Sequence, residues 1–136
     1  MHGRDWHWTP PLGFPQHTFV PALRVCFPPF RVFARATMLY HCVYFWLKPG
    51  LTTAQRADFR RGVETLAGIK SAKKVAVGAP AATERRPVID ASYDIALIVI
   101  CQDLAAQNAY QVDPIHLAFV DKFKTYWTRV QIYDSE

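Results

Sequence analysis

Two groups able to exchange protons flank a helix break in the run Tyr110-Gln111-Val112-Asp113-Pro114-Ile115-His116. Asp113 has the side chain of an N-cap and Pro114 the fixed φ of a first helical residue, so the spacing places His116 in the first turn. Backbone N–H groups in that turn lack intrahelical partners, and their partial positive charge disfavours an imidazolium. A neutral imidazole is a base. Tyr110 closes the preceding helix and offers a phenol to the same region, although spacing alone does not bring the two side chains together. Both residues also fit a plainer role. His116 reads equally as a core histidine whose ring nitrogens bond the backbone or Tyr110, and Tyr110 as a packed ring with a hydrogen-bonded tip.

The elements that must hold these residues are legible from residue 38 onward. Leu39 to Leu47 is a strand rich in aromatic and β-branched residues, closed by Lys48-Pro49-Gly50 as a turn. Thr52 and Gln55 form a capping box, and Phe59, Val63 and Leu66 follow at helical spacing up to Gly68. Lys73 to Gly78 is a short strand, Ala79 to Ser92 a long connection, either a flap or mobile, and Tyr93 to Cys101 a nearly continuous apolar strand. Asp103 caps a helix reaching Tyr110, Asp113 caps another through about Lys124, and Tyr126 to Tyr133 is the last strand. The order βαββαβ, with its second helix broken in two, is α+β: a ferredoxin-like split βαβ with a four-stranded antiparallel sheet and helices on one face.

The other face carries information about assembly. His41, Val43, Phe45 and Leu47 alternate with Tyr40, Cys42, Tyr44 and Trp46, and Ile95, Leu97, Val99 and Cys101 alternate with Ala96, Ile98 and Ile100. Neither side of these strands is polar, whereas a sheet with one wet face alternates apolar and polar residues. An exposed apolar patch of that size marks an interface, so the expectation is a homodimer that packs sheet to sheet. Burying about 600 Å² of apolar area per subunit gives on the order of 15 kcal/mol before association costs.

Composition bounds the rest. The chain has 136 residues, 51% hydrophobic, and a net charge of +5, which suits one small globular core. Residues 1–37 hold six of the ten prolines and four arginines against a single aspartate. Such a leader lacks any sustained helical or strand period. It reads as disordered or loosely packed, as a poor fit to a transit or signal peptide, or as a misassigned start with Met38 as the natural first residue. The domain proper is 38–136. No apolar run approaches the roughly 20 residues of a membrane span. The pairs Arg60-Arg61, Lys73-Lys74 and Arg85-Arg86 form no single basic stripe, so neither a membrane nor a nucleic acid is an expected partner. Cys26, Cys42 and Cys101 are odd in number and lack CxxC spacing, which suits a reducing compartment such as the cytoplasm. His41, His116 and these cysteines share no ligand spacing, so neither a metal nor another cofactor is expected.

Taken together, Tyr40-His41-Cys42-Val43-Tyr44-Phe45, Leu47-Lys48-Pro49-Gly50-Leu51-Thr52, Gly78, Tyr93-Asp94-Ile95-Ala96, Tyr110, Asp113-Pro114-Ile115-His116, Phe119 and Tyr133-Asp134 resemble the stress-responsive A/B barrel (Dabb) family. The resemblance covers nearly all of 38–136 and implies a dimeric α+β barrel of two ferredoxin-like subunits. Most of the family has no assigned reaction, which implies a small dimeric binding or stress-response module. One branch, similar to olivetolic acid cyclase, closes polyketide thioesters without a cofactor. That likeness implies catalytic roles for Tyr110 and His116 and a pocket that includes His41 and Phe119. His116 would remove a proton from carbon and Tyr110 would hydrogen-bond the developing enolate oxygen. The chain departs from that branch at Asp113, where a histidine often stands, and a carboxylate there would oppose the helix-terminus effect on His116. A cofactor-free monooxygenase is a weaker alternative, and His41 itself suits a core tie between strand and helix. The enzyme reading requires a cavity, usually of about 300 Å³ or more, with a few convergent polar groups. A site filled by Phe59, Phe119 or Phe123 would make the same residues structural.

Overall fold

The structure, a computed structural model, describes residues 37–136. The expectations for the leader and for Cys26 fall on residues 1–36, outside the described residues. The elements run β1 (Leu39–Leu47), α1 (Thr53–Thr65), a 3₁₀ turn (Leu66–Gly68), β2 (Ala72–Gly78), β3 (Ile95–Cys101), α2 (Leu104–Gln111), α3 (Pro114–Phe123) and β4 (Trp127–Ser135). The strands form one sheet in the order β2-β3-β1-β4, every pair antiparallel. This is the expected α+β, ferredoxin-like arrangement.

Local chemistry sets the helix starts. The Thr52 hydroxyl accepts from the Gln55 N–H at 3.2 Å while the Gln55 side chain accepts from the Thr52 N–H at 2.8 Å, a reciprocal cap. Asp103 accepts from the Ala106 N–H and Asp113 from the Ile115 N–H, each at 2.8 Å. Four strand boundaries differ from the sequence reading: β2 starts one residue earlier and β4 one residue later, and two others differ by two residues. Tyr93 and Asp94 precede β3, because the Asp94 carboxylate is taken up by the Leu47 N–H at 2.7 Å and by Arg56 at 2.9 Å. That carboxylate pins the end of β1 to α1. At the other end β4 continues past Tyr133 to Ser135, because β1 still offers partners there: Cys42 lies opposite Tyr133, His41 opposite Asp134 and Tyr40 opposite Ser135.

The core lies between the sheet and the helices. Phe59 is fully buried, with ring centroids at 5.3 Å from Phe45, 5.8 Å from Phe119 and 5.5 Å from Phe123. Gly62 lets α3 come close, since a Cβ there would stand 2.2 Å from the Phe123 ring. The helices leave the β4 edge partly bare. Val130 and Ile132 pair with Phe45 and Val43 on the helix side, yet are 39% and 45% exposed.

On the opposite face, Tyr40, Ile98 and Tyr133 are exposed and Cys42, Tyr44, Trp46 and Ile100 are half-buried. The edge strands add Lys74, Arg129 and Gln131 to this face by register, so its apolar centre on β1 and β3 has a polar border. The Arg129 guanidinium lies 4.2 Å over the Trp46 ring. The long β2–β3 connection is tied down near its end, where the Trp46 indole N–H donates to Ser92 at 3.0 Å. Among the described residues, no helix is long and apolar enough to cross a membrane.

Candidate functional site

The helix break does what its residues suggest. Val112 ends α2, Asp113 caps α3 with Pro114 at the first position, and His116 stands in the first turn. The break turns Tyr110 and His116 toward one another, their ring centroids 5.0 Å apart, and β1 brings His41 to within 6.0 Å of Tyr110, edge to face. All three line a cavity of about 170 Å³, walled by apolar residues that include Phe119, Leu97 and Trp127. The four residues singled out from sequence are therefore brought together. The space is smaller than the 300 Å³ or so expected for a ligand pocket, and of the three phenylalanines that could fill it Phe119 lines it while Phe59 and Phe123 do not.

Hydrogen bonds decide which ring nitrogens are available. His116 Nδ1 lies 3.0 Å from the Gln111 carbonyl oxygen. A carbonyl only accepts, so Nδ1 carries the proton and Nε2 keeps its lone pair. Burial holds His116 below the usual imidazole value, and His41 acts in the same direction. The Gln111 carbonyl and the Asp113 carboxylate oppose them without reversing the balance. The neutral imidazole expected from sequence is present, with burial rather than the helix terminus as the leading cause.

Tyr110 is fully buried, and its hydroxyl has no hydrogen-bond partner among the described residues. Burial pushes the phenol above its ordinary value, with Cys101 contributing, so it remains a donor. Leaving such a group unsatisfied costs on the order of 1–3 kcal/mol. Of the two partners the sequence reading gave the His116 ring, the backbone is the one observed, at the Gln111 carbonyl, and Tyr110 is not bonded to it.

His41 is buried at 3% exposure, and its Nδ1 lies 2.6 Å from Asp134 Oδ1. Asp134 is the site residue that sequence reasoning missed as such. Its position opposite His41 in the β1–β4 register is a signal that exists only once the strands are aligned. Cys42 and Cys101 have thiols pushed up by burial, with Asp134 adding to both and Asp103 to Cys101, which suits apolar filling rather than nucleophilic work. Among the described residues no group of three or more His, Cys, Asp or Glu is gathered to hold a metal ion. Arg60 pairs with Glu64 and Arg61 with Asp58 on the α1 surface.

Comparison with known proteins places the fold. A dimeric ferredoxin-like protein of unknown function from Thermobifida fusca superposes with a TM-score of 0.60 at 19% identity, over 76% of this chain and 94% of that one. A Dabb family protein with a ferredoxin-like fold from Mesorhizobium loti gives 0.59 at 24% identity, over 73% and 95%. A hydroxynitrile lyase from Passiflora edulis gives 0.60 at 16% identity, over 74% and 93%. At such identities the likeness is one of fold. No curated protein matches the chain in sequence. The family model described as Stress responsive A/B Barrel Domain matches residues 39–136. With the sheet, the broken second helix and the match all covering the same residues, this chain belongs to the stress-responsive A/B barrel (Dabb) family.

Proposed function

We propose that this chain works as a homodimer joined through the open sheet faces, each subunit holding a compact carbonyl compound in the His116 pocket and moving a proton on it. In this reading His116 Nε2 is the base and Tyr110 the donor to the oxygen that gains charge. His41 and Phe119 shape the pocket. The observation that carries the reading is the buried, unpartnered Tyr110 hydroxyl beside an imidazole whose free nitrogen is fixed by Gln111. A packing role predicts the opposite, a satisfied hydroxyl. The volume of about 170 Å³ favours a small apolar aldehyde or ketone over an extended polyketide thioester. That one solved structure with this fold is a hydroxynitrile lyase is compatible with such chemistry, although a fold does not by itself specify a reaction.

The dimer is supported by the apolar centre and polar border of the open face, the composition expected of an interface, and by dimeric relatives of the same fold. Ile98→Glu tests it by burying an unpaired charge at the apolar centre of that face, where Cys42 and Ala76 lie opposite. The expected result is a shift from dimer to monomer mass in sedimentation, and an unchanged mass refutes the face assignment. For the pocket, Tyr110→Phe and His116→Ala are expected to abolish binding and turnover of small ketones while the dimer survives. Equal binding by both variants removes the site.

A further inference from the structure

His41 and His116 both pack against the Tyr110 ring, and both have Nδ1 occupied, yet their anchors differ in kind. His116 is held by a neutral backbone carbonyl and His41 by the Asp134 carboxylate at 2.6 Å. Each anchor leaves Nε2 as the nitrogen that can exchange a proton. Only the carboxylate also balances a positive charge on the ring it holds. Two titratable groups of one type in contrasting surroundings are the pattern of an acid and a base assigned by environment.

We infer that His41, backed by Asp134, is the acid half of the pocket, completing the acid–base reading proposed above, on which this inference rests. In the balanced step, which starts with His41 as an imidazolium paired to the Asp134 carboxylate and His116 neutral, His116 Nε2 takes a proton from the carbon next to the carbonyl. The C–H electron pair moves into the C–C bond and the carbonyl π pair moves onto oxygen. Tyr110 hydrogen-bonds that oxygen, and the Nε2 proton of His41 transfers to it. The product is an enol, with His116 positive and His41 neutral, so net charge is unchanged. The other titratable groups around the pair are Cys42 on its own strand, Cys101 on β3, Tyr110 on α2, and Asp113 with His116 at the start of α3. Asp134 is the positioning residue, and it acts through its charge.

The test uses 4-nitrophenol, whose ring oxygen imitates the enolate oxygen and whose absorbance reports where its proton lies, with 4-nitrotoluene as a neutral probe of the cavity. The purified full chain at neutral pH is expected to bind the dye as phenolate. Asp134→Asn keeps an oxygen able to accept from Nδ1 and removes only the charge, so the bound phenolate fraction falls about tenfold, the effect of one unit in proton affinity, while 4-nitrotoluene binds as before. Asp134→Glu restores the phenolate signal and His41→Gln loses it. If Asp134→Asn binds the dye with unchanged ionisation, the acid role of His41 fails while the pocket stands. If neither probe binds the unaltered protein, the pocket reading fails and this inference fails with it.

Discussion

The space beneath the helices has two ends built from rings, and they are finished differently. At one end Phe45, Phe59, Phe119, Phe123 and Trp127 meet edge to face, tilted or stacked at 5.3–6.4 Å, and the Trp127 indole N–H is the one polar side-chain group among them. At the other end His41, Tyr110 and His116 keep similar spacing but surround an open volume. Two of their three polar tips are tied back to Asp134 and Gln111, while the third, the Tyr110 hydroxyl, is tied to nothing described. Phe119 belongs to both ends, touching the phenylalanine cluster and walling the cavity. What separates core from site here is therefore the fate of polar atoms, since ring density is alike.

That contrast can be broken most forcefully at Phe59. Phe59→Ala removes a fully buried ring that contacts five other aromatic residues and is expected to cost about 3–5 kcal/mol of unfolding free energy in a denaturant titration. A loss below about 1 kcal/mol would mean that the cluster is not the close-packed end.

Tyr110→Phe sharpens the contrast by the sign of its effect. Deleting a satisfied buried hydroxyl destabilises, whereas deleting an unsatisfied one removes a desolvation penalty. The expectation is an unfolding free energy unchanged or raised by about 1 kcal/mol, alongside lost ligand binding. A clear destabilisation would return Tyr110 to the core.

The smallest effect is the pH dependence of His116. Its folded value lies below the unfolded one, so above about pH 6.5 both states are neutral there and the residue adds no slope. As pH falls below that value, the unfolded chain takes up a proton that the folded imidazole resists, and stability declines until the folded value is passed. His116→Gln is expected to flatten this acid-side decline in urea midpoints measured from pH 7.5 to 5. An unaltered slope would place the titrating group elsewhere.

Local signals carried most of this into the sequence. The Thr52–Gln55 cap, the Asp103 and Asp113 caps and the Pro114 start depend on residues within three positions of each other, so they are legible without a fold. Alternation along β1 likewise separated His41 from Cys42 correctly. The start of β3 was misread because Tyr93 and Asp94 match a strand in type, while the partners that claim Asp94, Leu47 and Arg56, lie 47 and 38 residues away. The partnership of His41 with Asp134 was hidden for the same reason. So was the size of the cavity, which depends on how closely α3 approaches the sheet, and that approach is set in part by Gly62 and Phe123.

The pairing of β1 with β4 has a consequence for biosynthesis. Asp134 is made 93 residues after His41, and β1 has one unpaired edge until β4 arrives. Contacts of such sequence separation are slow to close. A nascent chain carrying β1 through α3 already contains the rings of His41, Tyr110 and His116, but it lacks Trp127 from the cavity wall and holds His41 without its carboxylate and Val43 and Phe45 without the strand that flanks them. Competence at the ribosome is thus gained in one late step, in which the same strand that seals the sheet delivers the carboxylate bonded to His41.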